Sequence, residues 1–259
     1  MIYAAFSVHR DLEKISANYA ENESFEERKN RIMDKQGYKK LLLDYTKKAY
    51  SEKLFTGTSG NLSIYDRKEN CIYITPSSTS YETMTVDDIV IINPDGDILE
   101  GDRAPSSEWR LHVAIYKQRK EVTSVVHTHS PYATAFAVAD MQIPIILIEM
   151  VPFIGDSIQV AKFAIPGDEE VGQEAVKAMK GRKGCLLQNH GAVAAGENIE
   201  SAYNTAVYIE DSAKIYYLSS TVGNAKVISD EQVEKFKLKL NMNVKEYDEN
   251  VPEIMKKTS

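Results

Sequence analysis

The chain has 259 residues, 43% of them hydrophobic and 27% charged, with a formal net charge of −7. These are ordinary globular values, so one domain with a sizeable core is expected, and a disordered or fibrous chain is excluded. No block of basic residues stands out, which argues against a broad nucleic-acid or membrane-surface face.

Residues 1–35 are expected to form an N-terminal arm. ENESFEERKNRIMDKQ (21–36) is rich in charge and thin in apolar residues, and Met33 offers an alternative start. A catalytic domain is expected over 36–259. MIYAAFSVHRDLEK reaches charge before any apolar run builds up, unlike a secretory leader. The most apolar segment, 141–154, is broken by Pro144, Glu149 and Pro152 and is too short to span a bilayer. A soluble cytoplasmic protein is therefore expected, with Cys71 and Cys185 as buried thiols of a reducing compartment.

From residue 37 to about 53 the spacing predicts a helix, with Leu41, Leu42, Tyr45 and Ala49 on one face. Gly57 and Gly60 break it, and strands follow at 61–65, 71–75 and 89–93, the last joined by an Asn-Pro-Asp-Gly turn to a short return. Pro105-Ser106-Ser107-Glu108 is expected to open a helix running to about 119, with serine caps and Glu108 in the first turn. A buried strand is expected at 122–127, a helix from Asp168 to near Gly181, and strands at 184–188 and 192–195 around an Asn-His-Gly turn. A long helix over about 198–220 buries Ile199, Ala202, Ala206, Ile209 and Ala213, and a last helix starts at a Ser229–Gln232 capping box. Strands paired locally and interleaved with helices make the expected fold α/β, a three-layer α/β/α sandwich with a mainly antiparallel central sheet.

Two of the five histidines, His127 and His129, are two residues apart at the end of an apolar run. On a strand both would project from one face and could hold a divalent metal, with zinc favoured by nitrogen ligands. Alone, the pair reads equally well as a chance recurrence. His190, delivered to a tight turn by CLLQNHGAVAAG, adds a third imidazole, and three histidines with an open position suit a catalytic site. His9 and His112 read as surface or packing histidines. Glu108 is the candidate acid/base, although a carboxylate there is ordinarily a helix-dipole partner. Ser106-Ser107 at a helix N-terminus suits a phosphate, and two further polar turns, Thr58-Ser59-Gly60-Asn61 and Thr75-Pro76-Ser77-Ser78, read either as plain loops or as its companions.

TSGNLSIYD (58–66), ITPSSTSYETM (74–84), PSSEWRLH (105–112), VVHTHSPYATAFA (125–137) and LLQNHGAVAAGENIESAYN (186–204) together resemble the class II aldolase/adducin family, most closely its aldolases of L-fuculose 1-phosphate. The resemblance runs from about residue 37 to about 240. It implies Zn2+ held by His127, His129 and His190, Glu108 as the catalytic carboxylate, and substrate phosphate held by Gly60, Asn61, Ser77, Ser78, Ser106 and Ser107. It also implies a homotetramer with sites between neighbouring subunits, and reversible cleavage of a ketose 1-phosphate to dihydroxyacetone phosphate and an aldehyde. Two departures stand out. The fuculose enzymes have Thr-Gly where this chain has Ser77-Ser78, and Ile148 stands where they carry a proton-donating tyrosine, a role for which Tyr247 is a distant substitute. The alternatives are a methylthioribulose-1-phosphate dehydratase, a sugar-phosphate epimerase (which would have Asp at position 108), and a metal-free adducin-like interaction module.

Overall fold

The computed structural model describes residues 33–240. Nearly all of the expected arm, and Tyr247, lie outside the described residues. In chain order the elements are α1 (Lys35–Ser51), β1 (Asn61–Asp66), β2 (Cys71–Ile74), β3 (Val90–Ile92), β4 (Ile98–Glu100), α2 (Trp109–Gln118), β5 (Ser124–Thr128), α3 (Pro131–Val138), α4 (Met150–Phe153), β6 (Val160–Ala161), α5 (Glu169–Ala178), β7 (Gly184–Leu187), β8 (Gly191–Gly196), α6 (Ile199–Val222) and α7 (Asp230–Lys239). The strands form one sheet in the order β4-β3-β2-β1-β5-β8-β7-β6. Every neighbouring pair is antiparallel except β6 with β7.

Side-chain alternation along the strands produces two separate apolar layers. Val126, Ala192 and Ala194 face the core shared with α1, α3 and α6. Their neighbours Val125, Val193 and Ala195 face the core shared with α2 and α5. The molecule is thus the expected three-layer sandwich with a mainly antiparallel sheet. The five expected inner-face residues of α6, Ile199, Ala202, Ala206, Ile209 and Ala213, are all buried. Asn198 caps this helix by accepting from the Ser201 N–H, and the Ser229–Gln232 box caps α7 as expected. Cys71 and Cys185 are buried thiols.

Several expectations shift. In α1 the buried stripe is Leu42, Leu43, Thr46 and Ala49, while Leu41 and Tyr45 are only partly covered. The helix after Pro105 begins later, at Trp109, and Glu108 is its N-cap with no side-chain cap bond. The serine turn ahead of it is instead drawn into the sheet, since Ser106 N–H donates to Thr75 O at 3.0 Å. Three elements were not anticipated: α3, α4 and the short β6. Helix α3 carries a proline in its first turn after Ser130, a start signal the histidine pair overshadowed. No helix among the described residues is long and apolar enough to cross a membrane.

Candidate active site

The site forms where β1, β5 and β8 end together at the middle of the sheet. His127 lies on β5, paired with Asn61 of β1 on one side and Val193 of β8 on the other, and is fully buried. His129 sits just past the end of β5. Its N–H donates to Leu54 O at 3.1 Å, which fixes the turn that carries it. The chain then enters α3, whose first N–H groups, of Tyr132 and Ala133, donate to the Glu210 carboxylate of α6 at 3.0 and 2.8 Å. His190 occupies the β7–β8 turn, where Asn189 adopts a positive φ of 56°. Gly191 follows because no side chain fits: an added Cβ would lie 2.2 Å from Thr128 O.

These elements bring His127, His129, His190 and Glu108 together, with one ligand atom from each lying within 4.8 Å of all the others. His127 Nε2 is 3.0 Å from His129 Nε2 and 3.1 Å from Glu108 Oε2, and His190 Nε2 is 3.1 Å from Glu108 Oε1. His127 Nδ1 donates to Ala192 O at 2.9 Å, because a carbonyl can only accept. In the neutral ring that places the Nε2 lone pair toward the cluster, the tautomer a metal ligand needs. Glu108 Oε1 is buried and, despite its closeness to His190, makes no aligned hydrogen bond. An orphaned carboxylate oxygen among converging imidazoles fits a divalent cation.

Electrostatically, the four groups act on one another. Burial alone would raise the Glu108 carboxyl, but the His127 and His190 imidazoles outweigh it and hold Glu108 well below the usual carboxylate range. Burial opposes charge on His127, yet the Glu108 carboxylate overcomes this and raises it. His129 is pushed down to about 3 by burial and by the neighbouring rings, so its ring is neutral at physiological pH.

Beside the cluster lies a pocket of about 250 Å³. All six residues expected to hold phosphate line it: Gly60, Asn61, Ser77, Ser78, Ser106 and Ser107, with Glu108, His129 and His190 at its other wall. The two serine turns are joined by backbone bonds, Ser77 N–H to Ala104 O and Ser106 N–H to Thr75 O, each 3.0 Å. Among the described residues, no protein acceptor takes the backbone N–H of Gly60, Ser78 or Ser107, which leaves these groups available to an anion. Gly60 has φ 99°, and a Cβ there would strike the Phe55 ring at 2.4 Å. Ser78 has φ 53°, a left-handed conformation that glycine adopts freely and other residues adopt rarely.

Two residues were missed as parts of the site. Tyr81 donates its hydroxyl to Gly60 O, and to Thr58 O at 3.0 Å, and so ties down the first polar turn. His112, expected as a surface or packing histidine, is fully buried and bonded to Asn61 at 2.5 Å. Its spacing of four residues from Glu108 was the available signal. Ile148 packs against the apolar core and does not line the pocket.

The comparisons agree with this architecture. Residues 40–217 match the family described as the Class II Aldolase and Adducin N-terminal domain. A 5-deoxy-D-ribulose 1-phosphate aldolase from Bacillus thuringiensis serovar kurstaki is 35% identical, over 74% of this chain and 90% of its own. The L-fuculose phosphate aldolase of Escherichia coli strain K12 is 37% identical, over 70% of this chain and 85% of its own. A solved L-fuculose 1-phosphate aldolase superposes with a TM-score of 0.76 at 36% identity, covering 81% of this chain and 99% of that one. The sandwich, the three histidines with Glu108, and these similarities lead to one conclusion: the chain belongs to the class II aldolase and adducin family.

Proposed function

We propose that this protein is a zinc-dependent aldolase that reversibly cleaves a ketose 1-phosphate into dihydroxyacetone phosphate and an aldehyde. The observation that carries the proposal is the adjacency of the His127–His129–His190–Glu108 cluster to the pocket formed by the three polar turns. L-fuculose 1-phosphate and 5-deoxyribulose 1-phosphate are the first substrates to consider, since relatives carry those names.

The residues divide the work. Gly60, Asn61, Ser77, Ser78, Ser106 and Ser107 hold the phosphate, so that binding energy is used away from the bond being broken. His127, His129 and His190 hold the zinc, which when bound supplies Lewis-acid charge for the substrate oxygens that become negative as the C3–C4 bond breaks. Glu108 moves the proton at C3. In synthesis its ionised carboxylate takes that proton from dihydroxyacetone phosphate, and in cleavage it returns it. The same family reading makes the protein a homotetramer with the pocket near a subunit boundary, and the exposed Phe163 and Ile165 beside Pro166 supply apolar surface there.

The test is to incubate zinc-loaded protein with the 1-phosphates of L-fuculose, L-rhamnulose, 5-deoxyribulose and methylthioribulose and assay triose phosphate directly. Dihydroxyacetone phosphate from at least one is expected. Water elimination without it would indicate the dehydratase, and epimerisation without it the epimerase. No turnover of any of them at stoichiometric zinc would sink the proposal.

A further inference from the structure

Glu108, His112 and Tyr116 recur every four residues, which sets them on one stripe of α2 from its N-cap onward. Asn61 and Ser63 of β1, two residues apart, point from the strand to the same side. The two rows interdigitate inside an otherwise apolar layer. Asn61 Nδ2 lies 3.0 Å from Glu108 Oε2, Asn61 Oδ1 2.5 Å from His112 Nε2, His112 Nδ1 2.6 Å from Ser63 Oγ, and Ser63 Oγ 2.6 Å from the Tyr116 hydroxyl. All five residues are buried.

The chemistry allows one direction for this chain. A carboxylate only accepts, so the Asn61 amide turns Nδ2 toward Glu108 and Oδ1 toward His112. Oδ1 only accepts, so His112 Nε2 carries the hydrogen. In a neutral ring Nδ1 is then an acceptor, which commits the Ser63 hydroxyl as its donor and leaves the Tyr116 hydroxyl to donate to Ser63, whose Oγ and backbone O lie 2.6 and 3.1 Å from it. Burial presses the His112 pKa down to about 3, consistent with a neutral ring.

We propose that His112, held as its Nε2-protonated tautomer by Ser63 and Tyr116, is a positioning residue that orients the Asn61 amide and thereby sets the Glu108 carboxylate against the reacting carbon. The catalytic half of this inference rests on the aldolase reading above, whereas the tautomer does not. A ring that only filled space would accept either tautomer and would be replaceable by an apolar side chain of similar size.

The tautomer is read first, from the ring-nitrogen shifts of ¹⁵N-histidine-labelled protein, with His112 assigned by comparison with His112→Gln. A neutral Nε2–H ring is expected, and an Nδ1–H ring or an imidazolium at neutral pH overturns the proposal. Turnover then follows for His112→Leu, His112→Gln and Ser63→Ala, each loaded with zinc. Leucine should lower kcat on the order of 10- to 100-fold, the usual effect of a slightly misplaced catalytic group. Glutamine, which can return an N–H near the Nε2 position, should recover most of that loss, and Ser63→Ala should fall between. Wild-type kcat in folded His112→Leu, or glutamine no better than leucine, overturns the positioning role. If leucine prevents folding, glutamine and Ser63→Ala still decide it. If the wild-type protein turns over no substrate, the aldolase reading fails, and the hydrogen-bond chain stands or falls on the tautomer alone.

Discussion

His112 shows how one side chain's surroundings govern its chemistry. Its ordinary pKa of 6.5 drops to about 3 when buried, with the charges around His127 adding to the effect. The unfolded chain therefore takes up a proton below about pH 6.5 that the folded protein refuses until about pH 3. Stability from this residue is fully present above pH 6.5 and is lost as the pH falls through that window, at up to about 1.4 kcal/mol per pH unit. His112→Gln should be less dependent on pH than the wild-type protein between pH 6.5 and 4 in urea titrations of the metal-free form. An unchanged slope would mean that His112 is protonated in the folded state. The sequence showed His112 only as a histidine within a helix. The partners that make it a buried polar group are Asn61 and Ser63, some fifty residues earlier, and such pairing follows from tertiary packing rather than local spacing.

At the scale of elements, the turns do the positioning and the strands hold them in place. The β7–β8 turn presents His190 only because Gly191 lets β8 approach Thr128 closely. Gly191→Ala would force a Cβ to within 2.2 Å of Thr128 O and should cost about 1–3 kcal/mol, the range for overpacking a tight site. Chemical denaturation measures that cost, and metal affinity should fall with it because His127 and His190 flank the contact. Stability and affinity equal to wild type would contradict the described packing. The long helix α6 was legible from its apolar period, and β5 and β8, buried at every position, from short apolar runs bounded by turns. Helix α3 and α4 were not: α3 is apolar on nearly every side, so it has no stripe to read, and the Met150–Phe153 turn is a single turn inside a proline-broken apolar run. Glu108 was foreseen in the first helical turn. It sits one position earlier because the Ser106–Thr75 backbone bond holds the preceding serines against the sheet.

For the whole molecule, the sheet's antiparallel centre gathers the ends of β1, β5 and β8 at one place, so residues from five separated motifs share a pocket. The histidines, Glu108 and the three polar turns were candidates from residue type and spacing, their roles came from the resemblance, and the structure brings all of them together. The aldehyde end was not legible, since the expected counterpart position, Ile148, is partly buried against the core and does not line the pocket. Proton transfer by Glu108 at the metal cluster can be read without knowing the aldehyde. Dihydroxyacetone phosphate is incubated with zinc-loaded protein in D₂O, and its C3 protons are followed by ¹H NMR. Exchange of one of the two C3 protons by the wild-type protein is expected, stopped by zinc chelation and slowed about 10²- to 10⁴-fold in Glu108→Gln at unchanged zinc content. Absence of exchange in fully zinc-loaded wild-type protein, or full exchange in Glu108→Gln, would contradict proton transfer by Glu108.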